Sequence, residues 1–460
     1  MVKQSVLAYW RGGESPPRVS SHCLMEGYIK LKRRVVITGM GVAAPNANGL
    51  NNFEEALREG RSGIRFIPEL RELNFACQIG GIPQGFDAIR KNYFDGETLM
   101  SMNENIGYAA VCAVDAWTDA GFTVPAADDD CVDWDTGAIV GSGIGGMDTI
   151  TGTLVPMVSQ GKVRRMGSRV VEQVMNSATS ASIAGLLALG NQATSNSSAC
   201  STGNEAIIEG MWRIRMGLAK RILAGGSESG SPYIWAGFDA MRVICRKFND
   251  QPEAASRPMS ASASGFVPGS GAGILLLEDL ESALERGARI YAEVLGGTVN
   301  CGGHRMGGSI TAPNPEGVRR CIRGAVSDAC ITPDEVDAIN GHLTATFADP
   351  YEVKNWSAAL QRGPKNFPYI NSTKSLVGHC LGATGAIESI AVVLQLYKGF
   401  LHASINCEDI HPDITEFEDK VPRKCMDYPE LRTIAKAGFG FGDVNSCLIF
   451  RKWENNKRSY

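Results

Sequence analysis

The sequence predicts an α/β fold with mostly parallel sheets, on three observations. Short apolar, β-branched runs of the buried-strand kind recur along the chain, at 34–38, 138–140, 222–224, 273–277 and 292–295. Helical patterns sit between them, as at 51–59 and at 206–216, where Ile207, Ile208, Met211, Trp212 and Ile214 fall at three- and four-residue spacing. With 460 residues the chain can bury a large core in two or three domains, so neither a disulfide nor a metal is required to hold it. Strands alternating with helices place helices on both faces of a sheet, the arrangement of parallel α/β proteins.

The body opens with the strand at 34–38 and the pair Gly39-Met40-Gly41; the strand at 138–140 leads likewise into Gly141-Ser142-Gly143. Each pair starts a G-x-G-x-x-G/A pattern of the dinucleotide-binding kind. After the first, Pro45 and Gly49 break the helix that would hold a pyrophosphate; after the second, no strand ending in an acid follows at the required distance. Both pairs read as close-packing glycines. Residues 1–33 stand apart, mixing Ser, Pro, Gly and basic residues with Glu14 and Glu26, and lack the apolar stretch of a secretory signal. They are expected to be an N-terminal extension, with a transit peptide or a start at Met25 left open.

Composition narrows the class. Forty-five basic and 49 acidic residues give a net charge of −4, which offers no polyanion-binding surface and argues against a nucleic-acid partner. No run of about 18 apolar residues exists, so no membrane span is expected. Thirteen cysteines, an odd number with no Cys-x-x-Cys pair, predict reduced thiols in a cytoplasmic protein. Six histidines include no His-Glu-x-x-His pattern, so no zinc motif is present.

Four segments carry reactive residue types. Cys200 lies in Asn196-Ser-Ser-Ala-Cys-Ser-Thr-Gly203 at a helix start, where the positive end of the dipole is expected to lower its pKa. His342 follows the short apolar run at 338–340, and strand ends are where α/β proteins collect chemistry. His379 lies five residues after Lys374, in Thr373-Lys-Ser-Leu-Val-Gly-His379. Gly438-Phe-Gly-Phe-Gly442 precedes the strand at 447–450 and can expose backbone N–H groups, though a plain hairpin turn fits it equally. The stretches 194–205 and 369–386 share a plan of polar segment, reactive side chain and small-residue helix start, which suggests two halves that bring these elements side by side. A cysteine with histidines elsewhere in the chain is the signature of an activated nucleophile.

The order Cys200, His342, Lys374, His379 and Phe-Gly-Phe-Gly-x-x-Asn445 resembles the β-ketoacyl-acyl-carrier-protein synthases, from about residue 33 to 452. Arg34-Val-Val-Ile-Thr-Gly-Met-Gly41, Ala224-Gly-Gly-Ser-Glu228 and Gly378-His-Cys-Leu-Gly-Ala-Thr-Gly385 belong to the same resemblance. It implies a thiolase-like duplicated fold, five-layered α-β-α-β-α with two mixed sheets, with halves at 34–289 and 290–460, and a homodimer. It implies decarboxylative condensation of an acyl-enzyme thioester with malonyl-acyl-carrier-protein, giving 3-ketoacyl-acyl-carrier-protein in fatty-acid or related polyketide or polyene biosynthesis. Cys200 would be the nucleophile, and the N–H groups of Cys200 and Phe441 the oxyanion hole. His342 and His379 would stabilise the enolate, with Lys374 and Glu388 orienting them. Thr344 and Thr346 would bind the phosphopantetheine arm of the acyl carrier protein, Ile144 would line the acyl pocket and Phe441 would gate it. No metal, nicotinamide or flavin is implied.

Two departures from the family pattern stand out. Leu343, Ala345 and Phe347 interrupt the usual His-Gly-Thr-Ser-Thr-Pro, and Ser260-Ala-Ser-Ala-Ser264 replaces a charged segment, so the loop bearing Thr344 and Thr346 is expected to be held by different contacts. A non-elongating partner subunit of the chain-length-factor type would lack the nucleophile. A thiolase-like acyltransferase would need a second catalytic cysteine in a C-terminal Cys-x-Gly, which is absent.

Overall fold

The computed structural model describes residues 33–454; the expected N-terminal extension falls almost wholly outside them. The first half contributes strands β1 (Val35–Ala44), β2 (Thr136–Gly141), β3 (Ala193–Thr194), β4 (Arg221–Glu228) and β5 (Gly271–Asp279). The second contributes β6 (Ala292–Cys301), β7 (Ala338–Asn340), β8 (Tyr369–Asn371), β9 (Thr433–Gly440) and β10 (Val444–Lys452). Helices α1 (Glu104–Asp119), α2 (Thr202–Arg215), α3 (Pro315–Asp328), α4 (Asp349–Leu360), α5 (Lys374–Val377) and α6 (Thr384–Lys398) carry or cover the site.

Both halves use one strand order. The first runs β1-β5-β4-β2-β3 and the second β6-β10-β9-β7-β8. In each, the first two pairings are antiparallel and the last two parallel. The expectation of mostly parallel sheets therefore needs correction: the sheets are mixed, because the last strand of each half folds back beside its predecessor. In the second half it does so directly, β9 turning into β10 at residues 441–443. Among the described residues the two five-strand runs are joined by strand pairing where Val36 and Ile37 of β1 meet Glu293 and Ala292 of β6.

Side-chain alternation divides the core into layers. On β5, Leu275 and Leu277 face the cluster holding Ile207 and Ile387 of α2 and α6, while Ala272, Ile274 and Leu276 face Ala109 and Ala116 of α1. On β10, Leu448 and Phe450 face α2 and α6, while Cys447 and Ile449 face Val318 of α3 and Val353 of α4. Successive strand residues point to opposite faces, so a sheet covered on both sides reads as an unbroken apolar run. The result is the thiolase-like α-β-α-β-α stack, with α2 and α6 in the central layer.

Glycine sets the spacing within that stack. A Cβ on Gly41 would lie 2.0 Å from the carbonyl oxygen of Cys112 in α1, so this glycine packs strand on helix and cradles no nucleotide. Where α2 meets α6, a Cβ on Gly203 would lie 2.6 Å from the nitrogen of Ala386, and one on Gly385 would lie 2.6 Å from the nitrogen of Asn204. Gly203→Val should push the two helix starts apart and cost about 1–3 kcal/mol, the usual price of overpacking. Gly237, inside the helix Pro232–Ala240, has open space around its Cβ position. Gly237→Ala should be neutral or stabilise by up to about 1 kcal/mol. Chemical denaturation of both variants checks the contrast; equal stabilities would refute the tight crossing.

Candidate active site

The crossing of α2 and α6 brings the reactive segments together. Each helix starts from one 3-10 turn, Ala199–Ser201 and Leu381–Ala383, and each turn opens on a non-glycine residue at positive φ, Ala199 at 50° and Leu381 at 47°. Cys200 is thus the counterpart of Gly382, and His379 precedes its own turn by two residues. The two halves do come side by side here, but Cys200 and His379 are not equivalent positions. Ligand-type atoms of Cys200, His342 and His379 all lie within 4.8 Å of one another.

Hydrogen bonds assign the tautomer of His379. The backbone N–H of Leu381 donates to its Nδ1 at 3.1 Å, so neutral His379 carries its proton on Nε2. That nitrogen lies 3.1 Å from the Cys200 sulfur and can donate to it. His342 stands 5.5 Å away, ring centroid to ring centroid, and its Nδ1 makes no hydrogen bond among the described residues. Burial, the Lys374 ammonium and the Lys436 ammonium hold both imidazoles well below the ordinary 6.5, so both are neutral near pH 7.

Cys200 departs from expectation. Its side chain is partly exposed to the cavity, yet burial of the sulfur pushes the thiol up to about 11. The backbone N–H groups of Phe441 and Cys200 and the charge of Lys374 act in the opposite direction. The helix start therefore does not yield a low-pKa thiol: desolvation outweighs it, and the resting group is a thiol whose developing thiolate meets three donors. Residues 441–443 form the hairpin turn, and of the N–H groups there that of Phe441 faces the Cys200 sulfur while that of Gly442 donates to the carbonyl oxygen of Ile310. Gly440 ends β9 so close to the Cys200 segment that a Cβ there would lie 3.0 Å from the Cys200 nitrogen.

The backbone around His342 is gripped by two buried carboxylates at the start of α4. Glu352 accepts from the N–H groups of His342 and Leu343, both at 2.7 Å, and Asp349 accepts from Thr344 at 2.8 Å and Ala345 at 3.0 Å. Leu343 (φ 21°) and Ala345 (φ 61°) lie in the left-handed region, strain that these four bonds offset. Burial lifts Glu352 to about 7 and raises Asp349 as well. Asp349 also accepts from Met259, while Ser260 and Ser262 hydrogen-bond Asp409.

Behind the histidines lies an ion cluster. Lys374 bonds one oxygen of Glu388 at 2.7 Å, and Lys436 lies 2.7 Å from the other. The sequence points to Lys374 and Glu388 but gives no sign of Lys436, a lone lysine inside a strand, or of the grip exerted by Asp349 and Glu352. In front opens a cavity of about 570 Å³, lined by Cys200, His342, His379, Thr344, Thr346, Ile144 and Phe441. The Thr344 and Thr346 hydroxyls are 3.0 Å apart, and the Ile144 N–H is anchored on buried Glu228. Every residue singled out from the sequence thus reaches this cavity or the ion cluster behind it. The arrangement can acylate a thiol, hold a tetrahedral oxyanion on backbone N–H groups and donate hydrogen bonds to an enolate oxygen.

Residues 32–283 match the model of the β-ketoacyl synthase N-terminal domain, and residues 291–408 that of its C-terminal domain. The chain is 35% identical over 425 residues to the chloroplastic 3-oxoacyl-[acyl-carrier-protein] synthase I of Arabidopsis thaliana, covering 91% of this chain and 86% of that one. It is 33% identical over 428 residues to 3-oxoacyl-[acyl-carrier-protein] synthase 2 of Synechocystis sp., covering 92% and 99%. A chain from a solved complex of a type II PKS acyl-carrier protein with its ketosynthase superposes with a TM-score of 0.80 at 30% identity, covering 92% and 100%. By sequence across both domains and by fold, the chain belongs to the β-ketoacyl synthase family.

Proposed function

We propose that the protein condenses an acyl group held on Cys200 with malonyl-acyl-carrier-protein, releasing CO₂ and giving 3-ketoacyl-acyl-carrier-protein for fatty-acid or polyketide assembly. The observation that carries this reading is the Cys200–His379–His342 cluster, with His379 Nε2 at 3.1 Å from the sulfur. Cys200 attacks the thioester; the oxyanion is received by the N–H groups of Cys200 and Phe441, and the carrier thiol leaves with the proton. Loss of CO₂ from the malonyl group leaves an enolate whose oxygen accepts hydrogen bonds from neutral His342 and His379. Its carbon attacks the acyl-cysteine carbonyl, and the Cys200 thiolate departs. Neutral histidines suit this step, since an imidazolium would pair with the malonyl carboxylate and stabilise the ground state. Lys374 and Glu388 orient the histidines from behind.

Thr344 and Thr346 line the way to the cysteine and are assigned to the phosphopantetheine arm, Ile144 to the acyl pocket and Phe441 to its gate. Substrates ride on the acyl carrier protein, so the reading needs no cofactor or metal beyond that arm. We read the chain as two duplicated halves, 34–289 and 290–460, and as a homodimer. In support of the dimer reading, Trp134 (71% exposed) and Leu218 (52%) present carbonyl oxygens to Asn191, just ahead of the end strand β3, so two exposed apolar side chains lie near that end of the sheet. Every described cysteine is a free thiol, which fits a reducing, cytoplasmic-type compartment, and no helix among the described residues is long and apolar enough to cross a membrane.

Cys200→Ala should abolish acyl-enzyme formation, seen as loss of the acyl mass on the intact protein, with the fold unchanged. Acylation of that variant would refute the assignment. His342→Ala and His379→Ala should keep part of the transfer to Cys200 but lose condensation by about 100-fold or more. Because burial and the lysines hold both imidazoles below 6.5, the unaltered enzyme should keep its condensation rate as pH falls through 6.5; a drop centred there would mean ordinary histidines. At the pocket, Ile144→Gly should extend acceptance to longer or bulkier acyl groups and Ile144→Phe restrict it to short ones. A chain-length profile unmoved by either substitution would remove residue 144 from the pocket wall.

A further inference from the structure

Lys436 is fully buried in β9, three residues before Phe439 and five before Phe441. Its ammonium lies 2.7 Å from a carboxylate oxygen of Glu388 and also donates to the carbonyl oxygen of Ala437. Lys374 occupies the other oxygen of the same carboxylate. Lys436 is thus a second buried lysine in a cluster whose facing carboxylates are Glu388 and Glu352, and burying a further ion pair in a dry interior is a costly arrangement to retain without a role. In the sheet, Lys436 is also the register partner of Asn340, two residues before His342.

We propose that Lys436 is a positioning residue for the decarboxylation step: by sharing Glu388 with Lys374 it sets a second buried cation behind His342 and His379, and it ties β9, which leads into Phe441, to α6. The proposal deepens the condensing reading of the site and rests on it. Charged and titratable groups surround the histidine pair from every packed element. They are Lys374 on α5, Glu388 on α6, Lys436 on β9, Asp349 and Glu352 on α4, Glu228 at the end of β4, and the thiols of Cys200, Cys380 and Cys447. Glu228, Asp349 and Glu352 direct their oxygens at backbone N–H groups. Burial pushes the thiols up, leaving the two lysines as the cations that disfavour an imidazolium. Burial draws Lys436 itself down from 10.5, and Glu388 opposes that shift.

The test uses Lys436→Met and Lys436→Gln in the full chain, both of which leave Lys374 and Glu388 as a neutral pair. Acylation of Cys200 is read by mass and CO₂ release from malonyl-acyl-carrier-protein is followed against pH. Removing a cation makes an imidazolium easier to form, so the acid limb of CO₂ release should move up by about one pH unit while acylation persists. Lys436→Arg, which keeps the charge, should lie nearer the unaltered enzyme. Profiles that superimpose on the unaltered one overturn the proposal. So does a parallel fall in acylation and CO₂ release with no shift of the limb, or failure of both variants to fold, since either makes Lys436 a structural ion. Absence of CO₂ release from the unaltered enzyme would instead refute the condensing reading itself.

Discussion

The close crossing of α2 and α6 is the constraint from which the rest of the site follows. Two helix starts meet with glycine against backbone, at Gly203 beside Ala386 and Gly385 beside Asn204. Side chains of any size there would hold the helices apart, and the turn that presents Cys200 would separate from the segment that presents His379. The crossing also explains why the fold is doubled. Each half supplies one helix to a shared middle layer, and neither α2 nor α6 could bury its apolar face on its own sheet alone.

Around that crossing, the chemistry depends on keeping water out while leaving no buried charge without a counterpart. Glu228 accepts from the backbone N–H groups of Gly143, Ile144 and Gly382, Glu352 from His342 and Leu343, and Asp349 from Thr344, Ala345 and Met259. These carboxylates act as staples for irregular backbone that has no sheet or helix to satisfy it. The same burial makes the histidines neutral and the thiol reluctant to ionise, so in the proposed mechanism reactivity would come from donors fixed in advance rather than from a permanently ionised thiolate.

Much of this could be read in the sequence, and for a physical reason. Cys200, His342, His379 and the turn at 441–443 sit in short segments whose small residues and spacing are themselves the local structure. What escaped depends on distant partners. Strand direction is decided by which strand a run pairs with, so apolar runs such as 222–224 and 273–277 gave no hint that they lie antiparallel. The strands β3, β7 and β8 are too short to show a period. Lys436 looks like any strand lysine until Glu388, 48 positions earlier, is seen beside it. The raised pKa of Cys200 reflects the protein packed around the sulfur, which no helix-start motif encodes.

The paired carboxylates at the start of α4 have a further consequence. Asp349 and Glu352 fasten the main chain of residues 342–345 whatever side chains those residues bear, because every bond runs to a backbone N–H. His342 is thereby decoupled from the sequence that follows it. Phe347, 75% exposed at the cavity mouth, lies outside those four bonds, so a change of its side chain leaves the grip on the His342 backbone intact. The rim of the cavity can thus differ in side chain while the backbone that carries the imidazole keeps its place.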